Sequence, residues 1–287
     1  MNLNMKRYSY ILAALLVGFS FTSCVEELGT EPGNDKLPAV IVYSYSPSSE
    51  YDSDTDQRVR FVSNGKVSKA AYLVEKQADK KAFIDAQGEA AYAEKVLSQG
   101  TAISFASDGV AETTVTGMTG DYEITAAASD GSQSTMRSVK FSGIPWDPNY
   151  VIPGTYVLGR ASIQNVLGAT SFPATLQRHE TDETLFRIKG AFGTGSKVTI
   201  RLIQQKGEDD DGVYTFFRIP EQATTFSYGS YGTVSVRDVG YWQGDDAYVT
   251  DNGYESGMYA DGTCFLCIQY YVSAGSLGYT YDYFIPD

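Results

Sequence analysis

One histidine, two tryptophans and three cysteines among 287 residues leave little material for metal or nucleophilic chemistry. His179 is the sole histidine, so any Ser-His-Asp or Cys-His arrangement has to pass through it. It follows the strand-like Ala174–Arg178 beside Glu180 and Asp182 at a polar turn, and no serine in a nucleophile-elbow pattern accompanies it. Cys264 and Cys267 lie three apart in the strand-like run Thr263–Val272. Positions three apart on a strand face opposite sides, so these thiols are not expected to bridge. A zinc site would need two further ligands, and the chain offers one histidine, His179. P-loop and dinucleotide fingerprints are missing as well. The composition is also short of positive charge, with 22 Lys and Arg against 35 Asp and Glu, a net charge of −13. No basic stripe interleaved with aromatics appears, which excludes nucleic acid as a partner. The longest apolar run, Ile11 to Phe21, is shorter than the roughly 20 residues a transmembrane helix requires. No catalytic residue, metal site or cofactor is assigned, and the chain is read as non-catalytic.

That apolar run sits between Lys6 and Arg7 on one side and Thr22-Ser23-Cys24 on the other. The layout is that of a secretory signal peptide over residues 1–23. With the cysteine at the cleavage point it resembles a bacterial lipoprotein signal. The resemblance implies that Cys24 is lipidated, becomes the first mature residue and holds the protein to outer-membrane lipid. An ordinary secretory signal ending beside a cysteine is the alternative. Val25-Glu26-Glu27 then resembles the acidic signal that sends lipoproteins of the Bacteroidetes to the cell surface. A polar tether over residues 24–36 gives a reach of roughly 20 Å as a flexible coil. Loss of residues 1–23 removes Lys6 and Arg7, leaving 20 basic against 35 acidic residues and a net charge of −15.

Beyond the tether the chain is expected to be mainly β, in two domains, 37–143 and 154–287, joined by a proline-rich linker at 144–153. The first shows seven strand-like runs: Ala39–Tyr45, Arg58–Val62, Val67–Val74, Thr101–Phe105, Glu112–Val115, Tyr122–Ala127 and Met136–Phe141. Alternation in Arg58-Val-Arg-Phe-Val marks half-buried strands. Between the third and fourth runs, Ala78–Ser98 places apolar residues at three- and four-residue spacings, which predicts an amphipathic helix with Gly88 as a weak point and Gly100 as its stop. The segment Met118 to Gly131 resembles the sixth strand of fibronectin type III domains. The resemblance implies a two-sheet sandwich with the helix inserted, and a tyrosine corner in which the Tyr122 hydroxyl ties back to upstream backbone. The linker Ser142 to Pro153 carries three prolines, reading as a stiff connector rather than a strand. Trp146 and Tyr150 within it either pack in the junction or stack on a ligand.

The second domain offers eight strand-like runs: Thr155–Ala161, Ala174–Arg178, Thr184–Lys189, Lys197–Gln204, Val213–Arg218, Thr233–Asp238, Thr263–Val272 and Tyr279–Ile285. Without a convincing helix among them, they predict an antiparallel sandwich or barrel. The closing Tyr270 to Gly278 resembles the end of many surface lipoproteins of gut Bacteroidetes, which names no activity.

Two acidic stretches invite comparison with metal loops. Asp52-Ser-Asp-Thr-Asp56 has the alternate spacing of calcium loops, but Gln57 and Ser63 stand where an EF-hand needs its glycine and glutamate. Both it and Glu208-Asp-Asp-Asp211 read as solvated turns. Aromatics are more suggestive. Tyr228, Tyr231, Tyr241, Trp242, Tyr248, Tyr254 and Tyr259 occupy a stretch rich in glycine and acid. Aromatic rings on loops suit the apolar face of a sugar, while neighbouring carboxylates suit its hydroxyl rim. Trp242 and Tyr241, with Tyr248 and Tyr254 behind them, are the candidate ligand-binding residues; packing across strands is the alternative. Three functions follow in order: a surface-anchored glycan-binding lipoprotein resembling accessory proteins of starch utilisation, an adhesive or structural surface protein with a protein partner, and a hydrolase using two carboxylates.

Overall fold

The computed structural model describes residues 36–240 and 246–287. The signal segment, Cys24 and nearly all of the tether lie outside them, as do Tyr241 and Trp242. The described chain is mainly β, as the sequence pattern predicts.

All seven runs of the first part form strands: β1 (Val40–Tyr45), β2 (Gln57–Ser63), β3 (Lys69–Lys76), β4 (Thr101–Ala102), β5 (Val110–Val115), β6 (Gly120–Ser129) and β7 (Ser134–Gly143). They make two antiparallel sheets, in the orders β1-β2-β5 and β4-β3-β6-β7. Period-2 alternation sends Val59 and Phe61 of β2 inward, where they meet Ile124, Ala126 and Ala128 of β6 in a shared core. The predicted helix, α1 (Gln77–Gln99), covers the outer side of the second sheet with Tyr92, Val96 and Leu97 against Ala127. Its weak point is real: Gly88 has φ of +85° and interrupts the helix, a conformation that costs glycine little and other residues much. The Gly100 amide donates to the Val96 carbonyl at the helix stop.

Tyr122 departs from its expected role. Its ring packs against the shared core with the Lys76 ammonium 4.1 Å from the ring centre, and its hydroxyl makes no hydrogen bond among the described residues. The backbone that a tyrosine corner would hold is already held. Gly120 pairs with Gly143 in the sheet, and the Met118 amide donates to the Thr55 carbonyl at 2.8 Å. Tyr122→Phe is therefore expected to change stability by less than about 0.5 kcal/mol in urea denaturation; a loss above 1 kcal/mol would restore the hydroxyl to a structural role.

The second part resolves the choice between sandwich and barrel in favour of a barrel. Its strands are β8 (Trp146–Val157), β9 (Ser171–His179), β10 (Leu185–Lys189), β11 (Lys197–Asp209), β12 (Gly212–Arg218), β13 (Gln222–Ser227), β14 (Thr233–Asp238), β15 (Ser256–Tyr259), β16 (Cys264–Val272) and β17 (Gly275–Pro286). Eight of them close a ring in the order β8-β9-β10-β11-β12-β15-β16-β17, with β17 returning to β8. The β13–β14 hairpin is inserted in the chain between β12 and β15. Its β14 pairs with the second half of β16, and the Gln222 side chain bonds both the amide and the carbonyl of Thr199 on β11. Two short helices missed by the pattern, α2 (Ala161–Leu167) and α3 (Asp246–Asn252), complete the part; seven residues give periodicity little to register.

The supposed linker is the start of β8, with a register irregularity between Trp146 and Val151 that takes in Pro148. The prolines are tolerated because β8 pairs only with β9 up to Pro153. Its second neighbour, β17, joins at Gly154, so the missing N–H groups leave no ladder bond unmade there.

Inward residues fill the barrel: Tyr156, Leu176, Phe186, Ile188, Val198, Ile200, Phe217, Leu266, Ile268, Tyr270 and Phe284 are all buried. One carboxylate lies among them. Asp282 is fully buried and accepts hydrogen bonds from the Tyr156 hydroxyl at 2.9 Å, the Tyr270 hydroxyl and the Gly159 amide at 2.8 Å. Cys264 faces this interior, paired with Phe284, while Cys267 pairs with Tyr281 on the opposite face. Both are buried free thiols, as the three-residue spacing requires, and burial pushes the Cys267 thiol up to about 11.

Candidate functional site

A packed interior directs attention to the barrel's outer surface. Residues paired across antiparallel strands point to the same side. Tyr214 of β12 pairs with Tyr259 of β15, Gly257 of β15 with Phe265 of β16, and Phe265 with Tyr283 of β17. Four adjacent strands thus line up aromatic rings on one outer face, joined by Tyr281 opposite Cys267. Tyr214 meets the Phe265 ring edge-on at 5.0 Å and the Tyr259 ring at 5.5 Å. Gly257 is what lets them meet: a Cβ there would stand 2.5 Å from the Phe265 ring and 2.7 Å from Tyr214.

These rings bound a hollow of about 620 Å³ whose rim carries Asp209, Asp211 and Glu255. The β11–β12 hairpin tip supplies two of the acids. One oxygen of Asp209 accepts the Asp211 and Gly212 amides; the other accepts the Tyr259 hydroxyl at 2.6 Å. That bond to a carboxylate, followed by partial burial, drives the Tyr259 phenol well above its ordinary range, so it stays a neutral donor. The Tyr281 hydroxyl donates to the Gly253 carbonyl at 2.8 Å. Tyr283 is 43% exposed. Among the described residues the side chains of Asp211, Tyr214, Glu255 and Tyr283 make no hydrogen bond, which leaves two carboxylates and two hydroxyls unengaged around an aromatic floor.

Of the residues expected to bind, Tyr248 and Tyr254 sit on this side of the barrel, half-buried. Their rings stack at 6.0 Å, and Tyr254 meets Tyr279 of β17 at 5.1 Å with the hydroxyls 3.2 Å apart. Tyr254 and Tyr248 thus use their ring faces partly on each other. Tyr241 and Trp242 lie outside the described residues. Tyr228 and Tyr231 pair with each other at a separate turn. The groove residues Tyr214, Phe265, Tyr281 and Tyr283 were not singled out, because aromatics in strands read as core. The signal that marks them is Tyr279-Thr-Tyr-Asp-Tyr283, in which alternate tyrosines share the face opposite buried Asp282.

The motif Asp52 to Asp56 serves the junction between the two parts. Arg187 of β10, only 3% exposed, donates to both oxygens of Asp52 at 2.8 Å and to Asp54 at 2.6 Å. Lys189 reaches Asp52 at 2.9 Å, Lys197 reaches Asp54, and the Trp146 indole donates to Asp54 at 3.0 Å while lying against the guanidinium. Burial raises the Asp52 carboxyl, but Arg187 and Lys189 outweigh it and hold Asp52 well below the ordinary carboxylate range. Asp56 accepts the Asp52 and Gly117 amides, fixing the loop itself. The solvated turn expected here is instead a clamp, and Trp146 packs in the junction. No cluster of potential metal ligands occurs among the described residues. His179 caps a turn, its Nδ1 accepting the amides of Thr181 and Asp182.

Among the described residues no helix is long and apolar enough to cross a membrane. No protein family matches this chain, and no curated protein or solved structure is significantly similar to it.

Proposed function

We propose that this chain is a surface-anchored, non-catalytic binding lipoprotein that holds a glycan in the outer groove of its barrel. The observation that carries the reading is the aromatic floor of Tyr214, Tyr259, Phe265 and Tyr281 under a rim that includes the unengaged carboxylates of Asp211 and Glu255. Sugar rings present apolar C–H faces to aromatics and hydroxyls to acceptors, and the groove supplies both. Tyr248 and Tyr254 extend the aromatic surface, with Tyr241 and Trp242 preceding them in sequence. The engagement of His179 in a turn fits a non-catalytic role. The sheet orders β1-β2-β5 and β4-β3-β6-β7 support a fibronectin type III-like spacer below the barrel. Lipidated Cys24 and the acidic Glu26-Glu27 would hold both at the outer face of the outer membrane. Exposed Val151, Val213 and Ile285 on the barrel favour a second reading, adhesion to a protein partner.

A glycan microarray probed with residues 25–287 tests the first reading. Binding is expected, and Tyr259→Ala should weaken it about thirtyfold, near 2 kcal/mol, as loss of a central aromatic does. Tyr231→Ala, 58% exposed on the separate turn, should leave binding unchanged. An array without hits would favour adhesion. For the anchor, Cys24→Ala is expected to move the protein from the detergent phase to the aqueous phase on Triton X-114 partitioning; full retention in the detergent phase would overturn the lipid attachment.

A further inference from the structure

The hollow at the aromatic floor does not end at Tyr259. A second hollow of about 550 Å³ lies beyond it, and the two share Asp211, Tyr259 and Thr263. Their combined lining includes four carboxylates, Asp209, Asp211, Glu255 and Asp261, and no lysine or arginine among the described residues. Two of the four are engaged internally. Asp209 holds the Tyr259 hydroxyl and its own turn, and Asp261 accepts the amide and hydroxyl of Thr263 at 2.9 and 3.0 Å. Asp211 and Glu255 have neither a hydrogen bond nor an ion pair to their side chains among the described residues. A groove that keeps unpaired carboxylates beside ring faces favours positive charge twice, through the acids and through the negative faces of the rings. It penalises an anionic occupant by like-charge contact.

We infer that the occupant is a cationic oligosaccharide, a chain of unacetylated amino sugars that crosses Tyr259 from one hollow into the other. The inference rests on the glycan-binding reading above and adds its charge and its length. Sugar rings cover Tyr214 and Tyr259, and ammonium groups pair with Asp211 between the hollows and with Glu255 at the rim of the first. Uronate-containing and sulfated glycans are rejected.

Calorimetric titration of the detergent-solubilised chain with three hexasaccharides tests this. The probes are a chitosan oligomer, the fully N-acetylated chitin oligomer with the same linkage, and an oligogalacturonate. The chitosan oligomer is expected to bind about tenfold more tightly than chitin at low salt, a preference of the size two surface charge pairs supply. It should shrink as salt is added, and oligogalacturonate should not bind. Asp211→Asn with Glu255→Gln should abolish the preference and keep chitin binding. Glu89→Gln with Glu94→Gln on the exposed side of α1 removes the same charge elsewhere and should leave the preference intact. Tyr259→Ala should weaken both sugars. Equal binding of chitin and chitosan, with dependence on Tyr259, would overturn the charge assignment and leave the glycan reading standing. Chitosan binding that survives either groove variant unchanged would mark a diffuse attraction to an acidic protein and overturn the inference. Silence from all three oligomers, together with an empty array, would overturn both.

Discussion

Replacing Arg187 by methionine is expected to destabilise the protein by about 3 kcal/mol, because it strands Asp52 and the 5%-exposed Asp54 at the junction without their main counter-ion. Removing one partner of a buried ion pair costs about 3–5 kcal/mol in general. The lower figure applies here because Lys189 and Lys197 still reach the two carboxylates. Methionine keeps much of the arginine stem's volume over Trp146, so the loss reports charge rather than a cavity. Adding Asp52→Asn and Asp54→Asn to the variant should therefore restore most of the stability in urea denaturation. If the triple variant is no more stable than Arg187→Met alone, packing and not charge compensation governs the junction.

Asp282 predicts a pH dependence of opposite sign to that of most carboxylates. Burial pushes its carboxyl from 3.8 up to about 6, against the pull of the Gly159 amide and the Tyr270 and Tyr156 hydroxyls. Between those two values the folded chain holds a proton that the unfolded chain has released. Stability from this group is thus fully present below 3.8, falls as pH rises toward about 6, and is flat above. The loss amounts to about 3 kcal/mol. Asp52 works the other way in a separate window: its contribution is present above its ordinary value and lost as pH falls below it. Urea denaturation at a series of pH values should show stability declining between about pH 4 and 6, and Asp282→Asn should remove that decline. Parallel curves for the two proteins would mean that Asp282 ionises normally.

Much of the fold was legible in local sequence. Strict alternation in Arg58-Val-Arg-Phe-Val announced β2, and apolar spacing announced α1 together with its break at Gly88. The strands that escaped were β13 and β15. Gln222–Ser227 is polar and hangs on a hairpin, and Ser256–Tyr259 is only four residues long, so neither carries enough alternation to register. Pro148 and Pro153 hid the start of β8 because their cost depends on whether a second strand lies alongside, which no local pattern states. The candidate site was half legible. Tyr259 stood among the aromatics of a region rich in glycine and acid, but the acidic hairpin read as a solvated turn, and Tyr214, Phe265, Tyr281 and Tyr283 looked like ordinary strand aromatics until the register placed them on one outward face.

Some properties needed the sequence alone: β-rich character, the number and rough position of most strands, the inserted helix, and two thiols that face apart. Each follows from propensity and periodicity over neighbouring residues, which act before any distant contact forms. Closure of β17 onto β8 to make a barrel, the salt bridges between Arg187 and acids 133 and 135 residues upstream, and the joining of four strands' aromatics into one groove belong to the tertiary structure. These depend on which strands pair and in what register. That choice is made by the burial of the whole core and by the pairing of buried charge, and no short window of sequence contains either.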